Sequence, residues 1–126
     1  MKLITIFRIL LAAFIVTAGI LHFVTPAPFV KIVPDYLPAH LEIVYISGFF
    51  EILGGIGLLV PFVSQAAAWG LIALFIAVFP ANINMAINNI DIGIPLEPWM
   101  LWARLPLQGV LIAWAWWLTR EKAFTA

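Results

Sequence analysis

The chain has 126 residues, of which 65% are hydrophobic and 10% charged, with six basic and six acidic side chains and no cysteine. Water-soluble chains are about half apolar and about a quarter charged, and a chain this short has too much surface to hide such an excess, so a water-soluble globule is excluded and lipid is the expected surroundings. Balanced charge removes the long-range field that draws proteins to nucleic acid, and the missing cysteine removes disulfides, thiolate nucleophiles and Cys-ligated metal centres.

Four apolar stretches, at 3–24, 42–63, 66–87 and 99–118, each approach the roughly 20 residues that about 30 Å of hydrocarbon requires. Backbone polar groups cannot go unpaired in lipid, so the stretches are expected to be helices rather than strands. The expected fold is all-α: one polytopic membrane domain over 1–126, a bundle of four transmembrane helices with a short interfacial segment in the first outer loop.

In the first stretch Lys2 and the small residues Val16-Thr17-Ala18 before Gly19 imitate a secretory signal. Arg8 interrupts the apolar run, which continues through Phe23, so a retained helix is expected, with Arg8 snorkelling to the inner headgroups. The loop 25–41 is too apolar to hang free and too broken by proline to span. A short helical turn around 28–33 would bury Phe29, Ile32 and Val33 and leave Lys31 at the headgroups, lying on the membrane or capping the bundle. In the second stretch Gly48, Glu51 and Gly55 share a face suited to close helix contact, and Gly54 and Gly57 add small residues. Pro80 in the third stretch and Pro106 in the fourth free the carbonyls of Ile76 and Trp102 and predict kinks.

Lys2, Arg8, Arg120 and Lys122 all fall on one side of this arrangement. The other side has Lys31 in its first loop and only Asp91 and Glu97 in its second, at 88–98. The side richer in Lys and Arg is cytoplasmic, so both termini are expected inside, in a bacterial cytoplasmic (inner) membrane. The six tryptophans agree, each near a predicted boundary: Trp99 and Trp102 outside, Trp69, Trp114, Trp116 and Trp117 inside.

An ionisable side chain within a bilayer costs about 2.5–3.5 kcal/mol on insertion scales, so each needs a reason. Glu51 lies about eight or nine residues, roughly 12 Å, below the outer start of its helix, and Arg104 about five residues, roughly 8 Å. His22 is within a turn of the outer end of helix one. Asn82 and Asn84 are within about one and a half turns of that of helix three, and Gln108 shares a face with Arg104. All four helices thus bring polar groups to one level, which fits a small pocket in the outer half that takes a ligand through His22, Glu51, Asn82, Arg104 and Gln108. The same residues also fit a purely structural reading, in which Glu51 and Arg104 neutralise one another and the rest hold helices together by hydrogen bonds. His22 and His40 are the only histidines, too few without a bracketing carboxylate to mark a haem or metal site; no metal is expected.

The motifs Gly19-Ile20-Leu21-His22-Phe23 with Pro26 and Phe29, Ile32-Val33-Pro34, Leu37-Pro38, Ile46-Ser47-Gly48, Glu51-Ile52-Leu53-Gly54-Gly55, Phe79-Pro80-Ala81-Asn82 and Arg104-Leu105-Pro106-Leu107-Gln108 resemble, almost end to end, the DoxX family of small four-helix bacterial membrane proteins. The resemblance implies the same architecture, and recurring polar positions at His22, Glu51, Asn82, Arg104 and Gln108. Some members are named as small subunits of quinone-linked thiosulfate oxidoreductase or are associated with redox-stress complexes, while the family offers no settled catalytic residue.

Three functional expectations follow. In the first, the pocket binds a small amphipathic molecule, a quinone head group or a lipid, with Arg104 holding a carbonyl or anionic group, Glu51 neutralising and orienting Arg104, His22 and Asn82 completing the rim, and no cofactor other than quinone. In the second, the chain is a subunit passing protons or electrons to quinone within a redox complex, with His22 and Glu51 as proton acceptor and donor. In the third, Gly48, Gly54, Gly55 and Gly57 pack against a partner protein or a second copy.

Overall fold

Five helices follow one another: α1 (Leu3–Val24), α2 (Ala27–Ile32), α3 (His40–Leu58), α4 (Ser64–Ile87) and α5 (Pro98–Leu118). The structure, a computed structural model, describes residues 2–88, 90 and 97–124. No strand occurs among the described residues. Three of the expected stretches reappear within two residues at either end. The fourth, 42–63, stops at Leu58 because Pro61 lacks an N–H and disfavours helix in the residue before it. Residues 59–63 instead form a turn, closed by the Leu59 and Val60 amides on the carbonyls of Ile56 and Gly57 at 3.0 and 3.1 Å. The chain enters α3 through Ala39 at φ 53°. Of the expected outer loop 88–98, only 88, 90, 97 and 98 are described, so the expectation placed on Asp91 lies outside them.

Each long helix packs against the next, α1 on α3, α3 on α4 and α4 on α5. The pairings run antiparallel, Gly19 against Gly48 and Gly55 against Ala12 for the first, Gly54 against Leu71 and Gly57 against Ala67 for the second. Gly19 and Gly48 mark the closest approach. A Cβ at Gly48 would stand 2.6 Å from His22 Cβ and 2.9 Å from the Gly19 carbonyl oxygen, so only bare backbone lets α1 and α3 meet there. The four glycines expected to dock a partner are therefore filled from within the chain, by α1 and α4.

α1 and α5 touch little, and chiefly at the end that carries both termini. There Phe7 packs edge-on against Trp114 with ring centroids 5.8 Å apart, and the Trp114 indole N–H donates to the Phe7 carbonyl at 3.1 Å. The main core, Leu11, Ala12, Ile15, Leu58, Ala68, Leu71, Phe75, Ala115 and Leu118, fills this half of the bundle. A smaller cluster of Ile32, Met85, Ala86 and Leu101 fills the opposite end, beneath α2.

The fate of Arg8 differs from the expected snorkelling. It is 1% exposed and donates to the carbonyls of Leu58 at 3.2 Å, Leu118 at 3.1 Å, and Glu121. Leu58 and Leu118 end α3 and α5, where carbonyls have no intrahelical donor, so the guanidinium caps two helices at once. Antiparallel packing brings position 8 of α1 level with both ends, and a bond to fixed carbonyls replaces reach to the surface.

α1, α3 and α4 are long and apolar enough to cross a membrane. α5, with Arg104, Gln108 and five tryptophans, falls outside that set. Apolar side chains in mid-helix lie half or more exposed, among them Phe14, Phe49, Leu53, Ile76, Leu107 and Val110.

Candidate functional site

The polar residues collect where α1 and α5 part. α2 closes the end of the bundle above them. Its Ile32 and the following Val33 are buried while Lys31 is exposed, and the Asn84 amide holds the Ile32 carbonyl at 3.1 Å. The expected turn in loop 25–41 is thus present as α2, and it packs onto α3 and α4. Below it lies a cavity of about 220 Å³ whose walls come from all five helices. His22, Glu51, Asn82, Arg104 and Gln108 all line it, amid apolar side chains such as Ile15, Phe29, Val44, Phe75 and Leu111.

The α1 and α3 wall bears the acidic group. His22 Nδ1 lies 2.6 Å from the Ala18 carbonyl oxygen and 3.3 Å from Glu51 Oε2. Two lone pairs would repel at 2.6 Å, so Nδ1 carries a proton and gives it to the nearer carbonyl. Glu51 Oε2 is consequently without a hydrogen-bond partner among the described residues, although Glu51 is only 8% exposed. The His22 ring is held flat against Phe29 of α2, centroids 3.9 Å apart and planes 20° from parallel. Ser47, one turn before Glu51, faces the same cavity with its hydroxyl also unpartnered. Sequence reasoning left Ser47 without a role, yet its spacing of four from Glu51 places it on that face.

The α4 and α5 wall is a chain of donated hydrogen bonds. Arg104 Nη2 reaches Asn82 Oδ1 at 3.4 Å, Asn82 Nδ2 donates to Gln108 Oε1 at 3.1 Å, and Gln108 Nε2 donates to the Phe75 carbonyl at 2.9 Å. Phe75 adjoins Ile76, whose carbonyl Pro80 deprives of its helical donor, so the cross-helix bond forms beside the predicted break. Both α4 and α5 are continuous through their prolines. Asn82 and Gln108 are buried, whereas Arg104 is exposed at the cavity's edge with most of its N–H groups uncommitted within the site.

Glu51 and Arg104 do not form an ion pair, because Glu51 turns toward His22 and Arg104 toward Asn82. The structural reading and the ligand-binding reading both expected Glu51 to neutralise Arg104, and that contact is not formed. His40 stands apart from this cavity, its Nε2 2.7 Å from the Leu37 carbonyl oxygen. Among the described residues no three histidine, cysteine or acidic side chains are grouped as metal ligands.

The family model for the domain of unknown function DUF8561 matches residues 11–119, and the chain belongs to that family. No curated protein and no solved structure matches the chain.

Proposed function

We propose that the chain is an accessory membrane protein whose four long helices all span the bilayer, and whose cavity takes the polar head of a small amphipathic molecule, a quinone or a lipid. The observation that carries this is the unpartnered Glu51 carboxyl oxygen, buried in the wall of a cavity that three further helices line with polar groups. A buried polar atom left unpaired costs about 1–3 kcal/mol, and a deficit of that kind beside a cavity calls for a partner that the cavity can admit.

The half-exposed apolar side chains along every long helix support the spanning arrangement, since soluble monomers rarely expose apolar patches on that scale. Exposed Trp99 and Trp102 stand near one end and Trp69 and Trp116 nearer the other, as in two interfacial belts. Lys2, Arg8, Arg120 and Lys122 gather at the end with the termini, which favours that end as cytoplasmic in a bacterial inner membrane, with α2 at the outer surface. The cavity then opens into the outer leaflet. The DoxX likeness rests partly on the same cavity residues and is compatible with work beside a redox partner.

A thermal-shift screen of the purified chain against quinones and lipids tests the reading. A ligand-dependent rise in Tm that Arg104→Ala abolishes is the expected result. Equal shifts in parent and variant would place the binding elsewhere.

A further inference from the structure

The site just proposed has a direction, and direction restricts its ligand. At about 220 Å³ the cavity is smaller than the roughly 300–1,000 Å³ that encloses a drug-sized molecule. It has room for a head group only, so any long tail must leave it. α1 and α5 meet at the end carrying the termini and show little contact elsewhere, and the cavity residues Phe14 of α1 and Arg104 of α5 are both exposed. On the spanning arrangement proposed above, the space between these helices would give a tail a lateral exit toward lipid.

Along that path the two charged side chains come in a fixed order. Arg104, all donors, stands at the exposed edge. Glu51 and Ser47, with unpartnered oxygens, lie deeper in the wall. We infer that, on the reading above, the ligand is a lipid-tailed molecule whose head ends in an N–H or O–H donor. That donor meets Glu51 and Ser47, while an anionic or carbonyl oxygen nearer the tail is held by Arg104. In its ionised form the buried Glu51 carboxylate only accepts, so it is satisfied by a ligand that brings a donor, and a head group with acceptors alone would leave it as it is. Two sources share this chemistry: an aminophospholipid, with its ammonium at the tip and phosphate behind, and a quinol, with its far hydroxyl at the tip and its near oxygen beside the tail.

Matched pairs differing in the donor decide the matter. The full-length chain in detergent is titrated with short-chain phosphatidylethanolamine against phosphatidylcholine of the same tails, and with a short-tailed quinol against its quinone. In at least one pair the donor-bearing member should bind about tenfold more tightly. Glu51→Leu should reduce that preference to within about twofold while Arg104→Ala weakens both members. Glu51→Gln keeps a carbonyl acceptor and so retains part of a quinol preference but little of an ammonium preference, and it serves where the leucine variant folds poorly. A preference confined to one pair identifies the source. Equal binding within both pairs, still weakened by Arg104→Ala, would overturn the inferred polarity and leave the cavity reading standing; no binding of any of the four would remove both.

Discussion

The two ends of the bundle use the same kinds of side chain to opposite effect. At the end with the termini, Arg8 makes three bonds to carbonyls, Ser64 accepts from the Ala123 amide at 2.9 Å, and Gln65 donates to the Thr119 carbonyl at 3.0 Å. The α2 end also holds an arginine, a serine and a buried acid, yet among the described residues the Ser47 hydroxyl and Glu51 Oε2 have no partner and Arg104 makes one long bond. A polar group whose bonds are complete holds a fold together, whereas one kept incomplete in a shaped cavity is poised for something else. The contrast makes the two arginines the sharpest comparison in the molecule.

Arg8→Ala should have the largest effect. It leaves the last carbonyls of α3 and α5 without their donor, at a cost of about 2–3 kcal/mol, and should lower Tm in detergent by roughly 10 °C. A drop of only a degree or two would show that water replaces the guanidinium, and the end with the termini would lose its structural role. Gly48→Ala should cost about 1–3 kcal/mol, because the new methyl meets His22 Cβ and the Gly19 backbone. It should also weaken ligand binding, since His22 and Glu51 are set by that crossing. Gly70→Ala is its control: apart from its own stretch of helix nothing described lies within 4 Å of the added Cβ, and helix propensity predicts a gain of about 0.5 kcal/mol.

Glu51→Leu without ligand should raise stability by about 1 kcal/mol, as an unpartnered buried carboxyl gives way to an apolar group of similar size. A fall instead would mean that the 3.3 Å contact with His22 holds the two helices. The smallest expected change is for Arg104→Ala, within about 0.5 kcal/mol in the absence of ligand. If thermal denaturation finds Arg104→Ala as damaging as Arg8→Ala, the difference between the two ends disappears.

Much of this was legible in the chain itself. The four long helices follow from apolar runs near the length of a membrane span. The short helix in the first loop follows from Phe29, Ile32 and Val33 around Lys31. That His22, Glu51, Asn82, Arg104 and Gln108 lie at one level follows from counting residues at a constant rise along each helix. Glycine spacing placed Glu51 inward for the same reason. Where the reading missed, the missing quantity was the register between helices. Position 8 looked like a snorkelling anchor because nothing in the first stretch reveals which ends of α3 and α5 stand beside it. Glu51 and Arg104 looked like partners because depth brings them close, while rotation about the helix axes turns one to His22 and the other to Asn82. The spacing of Gly54 and Gly57 fitted internal packing and a partner equally well, and the register of α4 settles their neighbours as Leu71 and Ala67.

What the sequence alone determined, therefore, is everything set by the cost of placing a residue type at a given depth: helix positions, the polar level, and the exclusion of thiol chemistry. Those costs are local and add along one chain segment. Which polar groups end up paired was decided only by tertiary packing, because a hydrogen bond depends on a few tenths of an ångström and on the rotation of one helix against another. The Gly19–Gly48 crossing, which brings His22 to Glu51, and the separation of α1 from α5, which leaves Arg104 at an open edge, are both of that kind.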